Sequence, residues 1–145
     1  VGGDLKLSGD ISKKLGASYY TGYTFVPLDT PLTSTSFDGD AFSTVGTSTL
    51  IDLSAVFGVP AGVKAVLVMA YVKDSAAWGS GRYTLDLGPS ESYYYNFDVS
   101  CFGGDLYNAG QGIVNCDANG DIYYRCAASG AGTLDVTIRI WGYWI

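Results

Sequence analysis

The chain has 145 residues, 48% of them hydrophobic, 15% charged and 20 of them glycine, which suits one domain with a buried core and excludes a disordered tail or a highly charged helical protein. The net charge is −6 and the basic residues form no continuous stripe that could bind phosphates, so nucleic acid is a poor partner. Histidine is absent, which removes His-based triads and His-ligated zinc sites.

The opening segment alternates Leu5, Leu7 and Ile11 with polar residues and is punctuated by glycines. It is too short to bury a core of its own. We therefore predict that residues 1–16 form a lead-in segment that packs against something else, and that residues 17–145 form the folded domain.

A strand that is apolar on both faces is predicted from Val63 to Val72, after a short strand or helical turn and a turn between Gly58 and Gly62. Such a strand belongs at the centre of a sheet. Its length is about half of the ~20 residues that cross a bilayer, so we expect a core strand and no membrane insertion.

Two half-exposed strands are predicted next, because apolar and polar residues alternate in residues 82–87 and again in residues 92–100. In the second strand, Tyr93 and Tyr95 would face the core with Phe97 and Val99. The opposite, outer face would then carry Ser92, Tyr94, Asn96 and Asp98.

The C-terminal third predicts a hairpin and a final strand. Residues 113–126 flank an Asn119-Gly120 pair, which is typical of a tight hairpin turn. In the last strand the predicted inner face is Leu134, Val136, Ile138 and Ile140, and the outer face Asp135, Thr137, Arg139, Trp141 and Tyr143. About eight short strands without an amphipathic helix indicate a single all-β, antiparallel β-sandwich of jelly-roll-like type.

The three cysteines do not form a disulfide framework, since their number is odd. Cys116 and Cys126 flank the predicted hairpin turn, but neither a two-residue nor a three-residue loop brings them within disulfide distance. We expect Cys101, Cys116 and Cys126 to be small buried side chains, which favours synthesis in the cytoplasm.

Acidic residues offer two weaker candidates. Residues 117–121 have the alternating oxygens of a calcium loop but lack a downstream Glu, so turn chemistry is favoured and calcium stays open. Glu91 or Asp98 could pair with Asp86 or Asp105 for carboxylate catalysis, but no spacing signature supports such a pair. We expect no catalytic residues, no metal and no cofactor.

Aromatic residues on predicted outer faces are more informative. Rings beside Asn, Asp or Arg are typical of sugar recognition, because rings stack on C–H faces while polar groups bind hydroxyls. The alternative is that a second sheet or a neighbouring subunit covers these rings. Trp141 and Tyr143, beside Arg139, also fit either interpretation, sugar binding or packing. The candidate glycan-binding residues are Trp78, Tyr94, Asn96, Asp98, Tyr123 and Arg125.

Three stretches resemble bacteriophage tail-fibre and related virion attachment proteins: GGDLKLSGDISKKLG, IDLSAVFGVPAGVKAVLV and ANGDIYYRCAASGAGTLDVTIRIWGYWI. The resemblance implies a β-rich homotrimeric tip that binds a bacterial surface polysaccharide, contacts other virion proteins and resides in the virion after synthesis in the host cytoplasm. It carries no catalytic residues.

Three alternatives stay open at this point. One is a purely structural virion module for trimerisation or decoration. The second is a carbohydrate-binding module of a larger enzyme, and the third is a glycan depolymerase.

Removal of residues 1–16 should weaken trimers, because the lead-in segment is expected to pack between subunits. The whole chain should have a solution mass of ~46 kDa, three times 15.3 kDa, and a chain starting at Ala17 should contain fewer subunits or melt at a lower temperature. Trimers of unchanged melting temperature from the shortened chain would contradict this expectation.

Overall fold

The computed structural model describes residues 22–145. Most of this range forms β-strands, because apolar and polar residues alternate along it. The predicted lead-in segment of residues 1–16 lies outside the described residues. The strands are β1 (Phe25–Leu32), β2 (Asp38–Phe42), β3 (Val45–Ile51), β4 (Ala65–Asp74), β5 (Tyr83–Gly88), β6 (Phe97–Cys101), β7 (Asn108–Asn115), β8 (Ile122–Ala127) and β9 (Leu134–Trp144). A 3₁₀ turn spans Thr35–Phe37 and a short helix, α1, spans Leu53–Phe57.

Two antiparallel sheets are built from these strands. In the first sheet β1 and β2 lie along the same edge of β9, followed by β4 and β7; the second sheet has the order β3, β8, β5, β6. The pairs are nested along the chain: β5 with β6, β4 with β7, β3 with β8, and β1 and β2 with β9. A long hairpin wrapped into two sheets in this way is a jelly roll. The prediction of an all-β, jelly-roll-like sandwich is confirmed.

The core lies between the sheets and contains inward-facing side chains of both, while β1 and β2 contribute only the partly buried Leu32 and Phe42. β4 sits centrally between β9 and β7, as predicted, while its outer residues Leu67, Met69 and Tyr71 are half-buried. The fully buried side chains of β4 and β9 are Val66, Val68, Ala70, Val72, Leu134, Val136, Ile138 and Ile140. The predicted inner face of β9 is therefore correct.

A β-bulge at Trp141 changes the faces of β9 near its end. Ile140 pairs with Val68 and Gly142 with Leu67, so Trp141 is an extra residue in the ladder. Tyr143 consequently packs against the core. The prediction that Tyr143 lies on the outer face is wrong, because strict alternation fails across a bulge.

The predicted hairpin of residues 113–126 is also wrong, although its turn exists. β7 belongs to the first sheet and β8 to the second, so the turn crosses between sheets. Only Gly120 of the Asn-Gly pair has a positive φ, +94°, whereas the type I′ hairpin turn that Asn-Gly favours requires positive φ at both residues. A Cβ at Gly120 would lie 2.6 Å from the backbone nitrogen of Gly62, so the turn packs tightly against the β3–β4 connection.

That connection contains the helical turn that the sequence indicated. The side chain of Asp52 accepts a hydrogen bond from the Ala55 N–H at 2.9 Å, and Gly58 ends α1 with a φ of +74°. Within residues 22–145, no helix has the length and apolar character needed to span a membrane.

The cysteines are unpaired thiols. Cys101 and Cys126 are buried and Cys116 is half-buried. Burial raises the pKa of the Cys116 thiol to about 12, so this side chain stays protonated and unreactive at neutral pH.

A buried carboxylate ties together the loops at one end of the sandwich. Asp74, at the end of β4, is 0% exposed and accepts hydrogen bonds from the Ala76 N–H at 2.8 Å, the Ser129 N–H and hydroxyl at 3.0 and 2.6 Å, and the Thr133 hydroxyl at 3.2 Å. Its backbone oxygen accepts from the Asp105 N–H at 3.0 Å. Burial acts to raise the pKa of Asp74, but these hydrogen bonds, led by the Ser129 hydroxyl, hold it below the ordinary value.

Substitution Ile138→Ala should lower the free energy of unfolding by about 2 to 5 kcal/mol, because Ile138 is fully buried between the sheets. Ile113→Ala is the matched control, since Ile113 is 50% exposed on the edge strand β7, and it should cost less than about 1 kcal/mol. Urea unfolding measures both. Equal losses would show that the face of β9 is assigned incorrectly.

Substitution Asp74→Asn should cost about 1 to 3 kcal/mol at pH 7, because the amide turns an N–H₂ group toward hydrogen-bond donors. The folded pKa lies below the unfolded value, so the contribution of the carboxylate is complete above about pH 4 and is lost as the pH falls through the folded pKa. The gap between wild type and variant, measured by urea unfolding, should narrow in acid. Asp29→Asn, on the exposed part of β1, is the control and should show no such gap.

Candidate functional site

The loop between β5 and β6, residues 89–96, folds back across the outer face of the second sheet. A Cβ at Gly88 would lie 2.0 Å from the backbone oxygen of Tyr93 and 2.6 Å from the Cα of Tyr94, so only glycine allows this approach. The hydroxyl of Ser90 accepts a hydrogen bond from the Tyr93 N–H at 3.1 Å and fixes the turn. We call residues 89–96 the tyrosine loop, since they contain three consecutive tyrosines.

Two of these tyrosines point into solvent. Tyr93 is 75% and Tyr95 70% exposed. The prediction that they face the core is wrong, because β6 begins only at Phe97 and strand alternation does not apply before it. The cluster Gly88-Pro89-Ser90, which is typical of a loop, was the signal that could have indicated this.

The exposed tyrosines border a groove of about 370 Å³, the tyrosine groove, which is lined by Pro89, Tyr93, Tyr95, Asn96 and Asn115. The Asn96 side-chain oxygen accepts a hydrogen bond from the Asn115 N–H at 2.6 Å, which orients the amide. Its Nδ2 group has no partner among residues 22–145 and can donate to a ligand.

The third tyrosine is anchored. The Tyr94 ring lies over Arg125, with the guanidinium carbon 4.3 Å from the ring centre, and contacts the Tyr95 ring at 3.9 Å. The hydroxyl groups of Tyr94 and Tyr95 are hydrogen-bonded. This contact holds the tyrosine loop on the sheet and presents Tyr95 at a fixed angle.

The remaining predicted residues are only partly brought together. Asp98 lies opposite Asp86, which lies opposite Arg125, but the Asp98 carboxylate is engaged by Arg82 at 2.5 Å. Burial, followed by the charge of Asp98, raises the pKa of Asp86. Tyr123 is half-buried beside Gly88 and lines neither this groove nor the one around Arg125 described below.

Trp78 lies at the opposite end of the sandwich, in the β4–β5 loop. It is 70% exposed and lines a hollow of about 290 Å³ with Phe102, Leu106 and Tyr107. The amide of Asn108, which also borders the hollow, is occupied by the Ser100 oxygen at 2.6 Å and the Ala109 N–H at 3.0 Å. Trp78 is therefore exposed as predicted, but it cannot act at one site with Tyr94.

The turn of residues 117–121 uses its carboxylates internally. One oxygen of Asp117 accepts from the Asn119 and Asp121 N–H groups at 2.8 and 2.9 Å, and Asp121 accepts from the Leu53 N–H at 3.0 Å. This is turn chemistry. Within residues 22–145 no group of three His, Cys, Asp or Glu side chains is placed to hold a metal ion.

No protein-family model and no curated protein sequence matches this chain. The functional interpretation therefore rests on the geometry and chemistry of the tyrosine loop and its surroundings.

Proposed function

We propose that this chain is a non-enzymatic bacteriophage virion domain, at the tip of a fibre or spike, that attaches to a glycan on the bacterial surface. The tyrosine groove carries the proposal: two exposed rings and two asparagine side chains border one groove. The resemblance of three sequence stretches to tail-fibre proteins supports the virion context. The jelly roll is an architecture of viral capsid and lectin domains, which is compatible with both parts of the proposal.

The groove has the chemistry that a sugar requires. Tyrosine rings stack on the C–H faces of a pyranose, and the amides of Asn96 and Asn115 supply donors and acceptors for hydroxyl groups. The rings are held on a fixed backbone by the close packing at Gly88 and by the Tyr94–Arg125 contact. A pre-positioned site loses little conformational entropy on binding.

A single groove of this size should bind weakly, with a dissociation constant on the order of 0.1 to 1 mM. A homotrimer would present three copies and gain affinity by avidity. The trimer and contacts with other virion proteins are parts of this proposal, and the solution mass tests the trimer directly.

Tyr93→Ala and Tyr95→Ala should each weaken glycan binding about five- to tenfold, because each substitution removes one stacking surface. Binding is measured on a glycan array and on host cells, with melting curves recorded in parallel. Tyr107→Ala is the matched control: Tyr107 is 64% exposed at the opposite end of the sandwich and should leave both binding and stability unchanged.

Trp78→Ala separates the two ends of the molecule. If this variant loses cell binding while the Tyr93 and Tyr95 variants bind normally, the receptor site lies at the Trp78 hollow and the tyrosine groove is not the site. If all three variants bind host cells normally, attachment through exposed aromatics is wrong and a purely structural virion role is favoured.

One observation favours a second candidate, glycoside hydrolysis. Asp86 and Asp98 lie directly opposite each other on β5 and β6, and the pKa of Asp86 is raised while Asp98 is ion-paired with Arg82. Unequal carboxylates on a glycan-binding face are the groups that a depolymerase would use. Release of reducing ends from a bound polysaccharide, abolished by Asp86→Asn, would replace attachment by depolymerisation as the function.

A further inference from the structure

A second groove lies on the other side of the tyrosine loop, where β3 bulges. Val45 pairs with Cys126 and Thr49 with Tyr124, so residues 46–48 stand opposite Arg125 alone. The bulge opens a groove of about 470 Å³, the arginine groove, lined by Gly46, Thr47, Ser48, Glu91, Ser92 and Arg125.

The Arg125 guanidinium is held in place without a close ion pair. Asp86 lies opposite it across the β5–β8 pair and acts on its charge from a longer distance. Tyr94 covers one face of the guanidinium, and none of the carboxylates whose side chains the structure describes comes within 4 Å of it. Its N–H groups make no hydrogen bond to any described residue. Arg82, on the same face of the sheet, is in contrast paired with Asp98 at 2.5 Å. A half-buried, immobilised guanidinium whose N–H donors are free can bind an anion from the groove side, opposite the longer-range contact with Asp86.

The residues that line the groove indicate which kind of anion it can bind. Thr47 and Ser92 add hydroxyl donors to the guanidinium, while the Ser48 hydroxyl donates to the Glu91 backbone oxygen at 3.0 Å and thereby joins the loop to β3. The Glu91 carboxylate accepts hydrogen bonds from ligand hydroxyls and repels a second negative charge. The chain as a whole carries a charge of −6, which further disfavours a densely charged polymer.

We propose that the arginine groove binds the carboxylate of an acidic sugar, such as a uronic acid, in the same polysaccharide that occupies the tyrosine groove. Arg125 grips the two carboxylate oxygens with paired N–H groups, and the serine, threonine and glutamate side chains contact the ring hydroxyls. Pro89 and Tyr93 line one groove, and Glu91 and Ser92 line the other. One glycan chain crossing the tyrosine loop therefore reaches both grooves. This inference rests on the proposed glycan attachment and specifies its ligand class.

The test uses pairs of polysaccharides that differ only at the carboxyl group: native uronic-acid-containing polymers and their carboxyl-reduced, neutral forms, immobilised on one array. Wild type should bind at least one native polymer about tenfold or more tightly than its reduced form. Arg125→Gln should bring the two affinities together, and Arg125→Lys should restore only part of the difference because it lacks the paired N–H geometry.

Lys64→Gln is the control, with the same change of charge at an exposed residue that lines neither groove, and it should preserve the preference for the native polymer. Melting curves show whether Arg125→Gln is folded; if it is not, Arg125→Lys decides the question.

Several results would overturn the inference. If wild type binds native and reduced polymers equally, and Tyr95→Ala loses binding to both, the acidic-sugar inference is rejected while glycan attachment stands. An Arg125-dependent preference for sulfated or phosphorylated glycans rejects the carboxylate. Binding of none of the glycans, native or reduced, rejects the inference together with the proposed function.

Discussion

The antiparallel pairing of β4 with β9 is the interaction on which the other elements of the domain depend. The two strands pair along the full length of β4, and their inner side chains form a continuous apolar floor on which the second sheet packs. β7 is added on one side of this pair and β1 and β2 on the other. The loops at one end are then fixed by Asp74, which stands at the last position of β4 and accepts hydrogen bonds that the neighbouring loops donate. Without this pair, the second sheet has no apolar surface to pack against and the loops at this end have no fixed strand to attach to.

The two ends of the sandwich differ in chemistry. The end that carries Trp78 presents rings with few available hydrogen-bonding groups, since the amide of Asn108 is already bound to backbone atoms. The tyrosine loop combines rings with amides on one side and with a guanidinium on the other. Sugars need both stacking surfaces and hydrogen-bond partners, so the second location matches a saccharide better. An apolar hollow like that around Trp78 matches packing against protein better.

Much of the fold could be predicted from the sequence because burial enforces alternation. Leu134 to Ile140 and residues 82–87 alternate without interruption, and the structure places their apolar residues in the core. The errors occur where a local feature breaks the alternation. The bulge at Trp141 moves Tyr143 inward, and the start of β6 at Phe97 frees Tyr93 and Tyr95. Nor could the sequence show that the Asn119-Gly120 turn joins two sheets, because that depends on its packing against Gly62.

The candidate site was predictable only in part for the same reason. The sequence pattern paired Tyr94 with Asn96 and Asp98, and Tyr123 with Arg125. The structure instead places the Arg125 guanidinium over the Tyr94 ring. The same pattern selected Asp98, whose carboxylate is ion-paired with Arg82. It missed Asn115, which lines the tyrosine groove from the other sheet. The residues of the β3 bulge could not be found from sequence patterns. Contacts between distant segments decide which polar groups stay available, and the period of a strand carries no information about them.

The nested order of the strands also affects how the chain can fold during synthesis. β9 is inserted between β4 and the β1–β2 edge, although it follows all the other described strands along the chain. Until residues 134–144 leave the ribosome, the inner edge of β4 and the whole β1–β2 segment lack their pairing partner, and exposed strand edges of this kind favour aggregation. Pairing of strands so far apart in the chain is intrinsically slow, so these edges stay exposed for longer during folding than edges that pair with a neighbouring strand.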